Sequence, residues 1–257
     1  MIRNLLGGLA TAFSMYSILP MPRVEWNKNT MQYALCFFPA VGLVCGGAVY
    51  GWIWLCTALG LHTILAAAGI VLLPVLLSGG IHLDGLLDTA DALGSHQEKE
   101  RKLEILKDSH VGAFGVIRCA SYLLLSWGLA GQLCSSPRLV PLLCVGYVAS
   151  RACSAVAFVC FPLAKNTGLA HLFSDNAQKD AVRVVSIVLL ALCAAAALLI
   201  HPAAGAVFIL LAAGWIFWFR RLCIRQFGGV TGDLAGYSLC TVELISLAVA
   251  ALGTLLP

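Results

Sequence analysis

Charge is scarce in this sequence. Aspartate, glutamate, lysine and arginine make up only 11% of its 257 residues, against about 25% in a typical soluble domain. That scarcity excludes a surface covered by water on all sides. The complement is an apolar excess. Hydrophobic residues make up 60% and mean hydropathy is +0.92, where an apolar share of about 45–50% is usual. A larger core does not absorb such a surplus, so lipid must cover much of the surface. The chain has no basic block and a net charge of only +4, which excludes a nucleic-acid surface. None of the 11 cysteines forms a CxxC pair. Most, including Cys36, Cys45, Cys144 and Cys193, lie in apolar runs and read as small helix residues rather than disulfide or metal partners. A cleavable signal is not expected, because the first apolar run ends at Pro20-Met21-Pro22 and not at small residues. Repeats, linkers and low-complexity segments are also missing. The longest polar stretch, 81–111, is too short for a soluble domain, so residues 1–257 are expected to form one membrane domain.

Apolar runs near the ~20 residues of a spanning helix occur at 33–59, 63–78, 112–133, 139–164, 184–200, 203–219 and 234–256. The run 4–19 can span, re-enter or lie along the surface. The expected fold is all-α, a polytopic bundle of about seven or eight helices. Its loops fall into two sets. The segments 21–30, 81–111, 165–183 and 220–233 carry 12 of the 16 basic and 11 of the 12 acidic residues. The opposite turns carry only Arg138. The positive-inside rule assigns the charged set to the cytoplasm and so predicts a cytoplasmic working face.

Three constellations lie on that face. The first is SGGIHLDGLLDTAD, residues 78–91. On a helix, Asp84, Asp88 and Asp91 share an arc of about 60°, where like charges repel. Protonation or a shared cation relieves the repulsion, and carboxylates with open positions suit Mg²⁺. A solvated helix end is the plainer reading. His82 reads as base, ligand or hydrogen-bonding support. The second is RKLEILKDSHVGAFG, residues 101–115. Its start reads as an interfacial amphipathic helix. Asp108 and Ser109 read as caps of the next helix, Asp108 also as a metal or substrate contact, Lys107 as a phosphate partner, and Gly112 and Gly115 as sites of close backbone approach. The third is RQFGGVTGD, residues 225–233. There Gly228, Gly229 and Gly232 can present N–H groups to an anion, Arg225 a charge, Thr231 a hydroxyl and Asp233 a metal ligand. Arg151 and Glu243 sit inside apolar runs. They read as a structural pair, or Arg151 reaches substrate phosphate. Acids for a metal, cations for phosphate and a glycine-rich turn suit phosphoryl transfer.

These residues carry a resemblance. GGIHLDGLLDTADALG, then RKLEILKDSHVGAFG and GGVTGD, resemble the cobalamin synthase family of adenosylcobinamide-GDP ribazoletransferases. The likeness extends to FSMYSILPMP, FFPAVGLVCGG, Ser150-Arg151 and Gly168-Leu169. It implies a multi-pass enzyme of the bacterial inner membrane. That enzyme uses Mg²⁺ to join adenosylcobinamide-GDP to α-ribazole, or its 5′-phosphate, and releases GMP. It implies that Asp84, Asp88 and Asp91 hold Mg²⁺ on the diphosphate, with Asp108 and Asp233 completing the acidic site. Arg151, Lys107 and Arg225 would neutralise phosphate. Family members tend to carry an arginine where Lys165 stands, and lysine loses the bidentate fork. The expected partners are these small substrates and membrane lipid, with no nucleic acid; a homo-oligomer is compatible with the sequence. Two other readings stand beside it: a CDP-alcohol-type phosphotransferase, whose aspartate spacing differs, and a cation transporter, which predicts acids deep in several helices.

Overall fold

The computed structural model describes residues 2–22, 24–25, 27–164 and 177–255. Lys165, Gly168 and Leu169 lie outside the described residues. An apolar chain in lipid must pair its backbone groups within itself, which a helix does. The described elements follow that rule: α1 (Ile2–Tyr16), α2 (Lys28–Met31), α3 (Ala34–Ala58), α4 (Thr63–Leu77), α5 (Ile81–Gly94), α6 (Lys99–Ile105), α7 (Ala113–Ser135), α8 (Val140–Cys160), α9 (Lys179–Ile200), α10 (Pro202–Leu222) and α11 (Gly232–Gly253). A π turn, Cys223–Phe227, follows α10.

Among the described residues, six helices are long and apolar enough to cross a membrane: α3, α7, α8, α9, α10 and α11. The chain is a multi-pass membrane protein. α1 has 15 residues, or about 22 Å of helix against roughly 30 Å of hydrocarbon, and is not one of the six. α4 also has 15 residues. The sequence suggests that 63–78 is a simple span, but the chain breaks after it. Gly79 and Gly80 adopt φ of 63° and 81°, a left-handed region that glycine enters without strain. α5 then leaves at 91° to α4. With 14 residues, α5 is too short to span by itself and is not one of the six; α4 and α5 together form a bent pair, apolar enough as a unit for a broken span or a re-entrant loop.

α8 and α11 form the centre of the bundle. In each, 78% of the spanning window is buried, against 17% in α7 and α9. Small residues let the central helices close up. A Cβ at Gly42 of α3 would lie 2.3 Å from the Tyr147 carbonyl of α8. The outer helices turn large apolar side chains, such as Leu199, Leu210 and Trp54, to the lipid. Two of the short turns between helices are capped by histidine. His62 Nδ1 accepts from the Ile64 amide at 3.3 Å, and His201 Nδ1 from the Ala204 amide at 3.2 Å. All 11 cysteines are free, as expected of small helix residues.

Candidate active site

α5 has two faces. His82, Gly85, Leu86, Thr89 and Ala92 are buried, while Asp84 is exposed and Asp88 and Asp91 are half-buried. The trio therefore shares the outer face, as the i, i+4, i+7 spacing requires. His82 points away from it. Its ring packs against Tyr16 and Phe38, with centroids 6.1 and 5.7 Å away.

The three aspartates have different partners. Asp91 Oδ2 accepts from the Gly112 amide at 2.7 Å, and Oδ1 from the Gly115 amide at 2.8 Å. Gly112 is the N-cap of α7 and has no side chain of its own to offer. The expected caps, Asp108 and Ser109, do not serve. Asp91 caps α7 from another helix, satisfying amides that the helix leaves unpaired. The glycines make room for it, since a Cβ at Gly112 or Gly115 would stand 2.5 or 2.4 Å from an Asp91 oxygen. Asp108 is exposed and engages its neighbour His110, whose amide lies 3.0 Å and ring Nδ1 2.7 Å from Asp108 Oδ1. Those hydrogen bonds hold the Asp108 carboxyl below the usual carboxylate range.

Where α5 crosses the start of α11, the charges of Asp84 and Asp233 bear on Asp88, and that of Asp84 on Asp233. Gly85 makes the crossing tight: a Cβ there would lie 2.6 Å from the Asp233 carbonyl oxygen. Among the described residues, no basic side chain forms an ion pair with any of these three carboxylates. Burial, then repulsion from Asp84, Asp233 and Asp91, pushes Asp88 up to about 7. A carboxylate cluster held together without a counter-charge attracts a cation. Among the described residues, no three His, Cys, Asp or Glu side chains form a ready-made metal cage. Mg²⁺ seldom uses one. It takes one or two carboxylates and completes its shell with water and substrate phosphate, so this hard-oxygen donor set fits it.

The third constellation builds a turn beside the acids. Gly228, at φ 78°, ends the π turn. Gly229 lies against the chain at Pro162–Ala164, where a Cβ would come within 2.4 Å of the Leu163 carbonyl carbon. The Val230 amide donates to Pro162 and its carbonyl accepts from Ala164, at 2.8 and 3.1 Å. Thr231 is the N-cap of α11, its hydroxyl accepting from the Leu234 amide at 3.2 Å. Structure thus accounts for Gly228, Gly229 and Thr231, while a Cβ at Gly232 would meet only open space. α6 packs on the π turn through buried Lys102, which donates to Gln226 Oε1 at 2.6 Å. That contact brings the loop of Lys107 towards the turn of Arg225. Both cations are exposed.

Arg151 lies deeper. It is 1% exposed and pairs with Glu243, while Nη1 also donates to the Tyr147 carbonyl and the Ser150 hydroxyl, both at 3.0 Å.

The profile of the cobalamin-5-phosphate synthase family matches residues 8–251. The chain belongs to this family. A protein of Lachnoclostridium phytofermentans named adenosylcobinamide-GDP ribazoletransferase is 42% identical over 94% of this chain and 92% of its own length. Proteins of the same name from Clostridium botulinum (strain Alaska E43) and Pseudomonas savastanoi are 32% and 36% identical, over 98% and 89% of this chain and 100% and 89% of their own lengths. No solved structure matches.

In this member of the cobalamin-5-phosphate synthase family, sequence reasoning missed two site features. Asp91 as the cap of α7 had a readable signal, a carboxylate followed by a Gly-x-x-Gly helix start. The Lys102–Gln226 link spans 124 residues and had none.

Proposed function

We propose that the chain is an adenosylcobinamide-GDP ribazoletransferase of the bacterial inner membrane, with its working face in the cytoplasm. It joins adenosylcobinamide-GDP to α-ribazole or its 5′-phosphate and releases GMP. The observation that carries this reading is the carboxylate cluster of Asp84, Asp88 and Asp233, uncompensated by any basic side chain among the described residues. The relatives' name supplies the substrates. Asp84, Asp88 and Asp233 would hold Mg²⁺, which supplies charge neutralisation at the transferring diphosphate. Lys107 and Arg225, exposed beside the same face, neutralise phosphate oxygens. Arg151 is committed to Glu243, so that work falls to the two exposed cations. Asp91 fixes α7 against α5 and keeps the acidic face in register. The ribazole ribose hydroxyl oxygen bonds to the phosphorus nearest cobinamide, the bond from that phosphorus to the bridging oxygen breaks, GMP leaves with that oxygen, and the hydroxyl proton passes to solvent.

The test uses purified protein in detergent with adenosylcobinamide-GDP, α-ribazole and Mg²⁺, and follows GMP. Release of GMP that stops with EDTA is expected. Turnover of a CDP-alcohol with none of the cobinamide substrate would overturn the reading. Asp84→Asn and Asp88→Asn should each slow the reaction at least ~100-fold, since losing charge stabilisation of this kind costs about 2.7–4 kcal/mol. Full activity in either removes that residue from the metal site.

A further inference from the structure

Six buried side-chain polar atoms among the described residues lack a hydrogen-bond partner. Three of them, His82 Nε2, Ser126 Oγ and Arg151 Nε, belong to residues that line one cavity. These residues come from α5, α7 and α8 and are 7%, 3% and 1% exposed. The cavity measures about 30 Å³, and Glu243 and Tyr147 also line it. A water needs about 10–15 Å³ by this kind of measure, together with two to four polar partners. The space therefore has room for one or two waters. Cavities that stay dry are apolar, and this one borders a buried ion pair.

We propose that water bound in this cavity bridges His82 Nε2, Ser126 Oγ and Arg151 Nε, and so ties α5 to the Arg151–Glu243 pair. The donor and acceptor types allow it. The guanidinium Nε–H only donates, the serine hydroxyl donates and accepts, and the imidazole nitrogen takes whichever role its tautomer leaves. A water accepting from Arg151 can donate to the other two. The bridge acts on the reaction through α5. His82 stands two residues before Asp84 on the opposite face of the helix, so anchoring its ring sets the rotation at which Asp84 and Asp88 face Asp233. His82 is then a positioning residue that touches no substrate.

The test has two arms. Cryo-electron microscopy of the full chain in nanodiscs, at a resolution that shows ordered water, should find one or two peaks within hydrogen-bond reach of the three atoms. A well-resolved cavity with no peak overturns the proposal. The second arm is kinetic and rests on the proposed transferase reaction. His82→Phe keeps the ring packing against Tyr16 and Phe38 but removes the hydrogen bond. It should lower kcat about tenfold at unchanged KM, as small misplacement of reacting groups does, and His82→Gln should restore most of it. Unchanged kcat in His82→Phe overturns the positioning role. If His82→Phe does not fold, Ser126→Ala is measured, with loss of a peak and lowered kcat expected. Wild-type protein that releases no GMP refutes the transferase reading alone, and the water density then decides.

Discussion

Replacing Asp91 by asparagine separates structural work from metal binding at this site. The carboxylate accepts from two amides of the α7 N-terminus, at 2.7 and 2.8 Å. Asparagine keeps one acceptor oxygen and turns an NH₂ donor towards the other amide. One charge-assisted hydrogen bond is lost, worth about 1.5–3 kcal/mol. The attraction of the charge to the helix N-terminus, about 0.3–1 kcal/mol, goes with it. The total is about 2–4 kcal/mol. For a chain of this size each kcal/mol moves Tm by about 2–4 °C, so Asp91→Asn should unfold about 5–15 °C below the parent. Fluorescence-monitored melting in detergent measures this, with Asp88→Asn as the contrast. Removing the Asp88 charge relieves repulsion, so metal-free Asp88→Asn should melt no lower than the parent while losing activity. Below its melting range, Asp91→Asn should still turn over. An Asp91→Asn protein with unchanged Tm and no activity would refute the capping argument and make Asp91 a ligand.

Breaking the buried ion pair through Arg151→Met should cost about 3–5 kcal/mol, and Arg151→Met with Glu243→Leu should recover most of it. Because it also removes the Arg151 end of the proposed water bridge, the double variant should release GMP about tenfold more slowly, as His82→Phe does; an inactive but well-folded double variant would return Arg151 to the substrate. Gly85→Ala puts a methyl 2.6 Å from the Asp233 carbonyl oxygen, costs about 1–3 kcal/mol by overpacking, and should weaken Mg²⁺ activation while membrane insertion is unchanged. Asp88, pushed up to about 7 from 3.8, binds a proton in the folded state that the unfolded chain has released. Metal-free stability should therefore fall as pH rises from about 4 to about 7 and level off above. Cation binding displaces that proton, so apparent Mg²⁺ affinity, by titration calorimetry, should weaken up to tenfold per pH unit below about 7.

The spans were legible because lipid leaves a long apolar run no alternative to helix, and six of the seven expected runs became full spans. The break after α4 was harder to read. Gly79-Gly80 signals either close packing or a turn, and only the φ values decide. The face shared by Asp84, Asp88 and Asp91 followed from helical periodicity. Their division of labour did not, because it depends on α7 and α11 arriving from distant sequence. Asp233 joined Asp84 and Asp88 through the α5–α11 crossing, a contact no local pattern encodes. Arg151 with Glu243 stood as one of two sequence readings; the structure shows the pair, and at 1% exposure a buried arginine needs such a counter-charge.

That pair also sets an order on biogenesis. A chain made and inserted from its N-terminus delivers Arg151 with α8, while Glu243 follows 92 residues later on the last described helix. Until α11 enters, a guanidinium stands among apolar helices without its partner, an expensive state in lipid. α7 faces no such wait, since its cap Asp91 is already made when Gly112 emerges. Chains cut short before α11 should therefore be marked for degradation, with α11 the latch that commits the bundle.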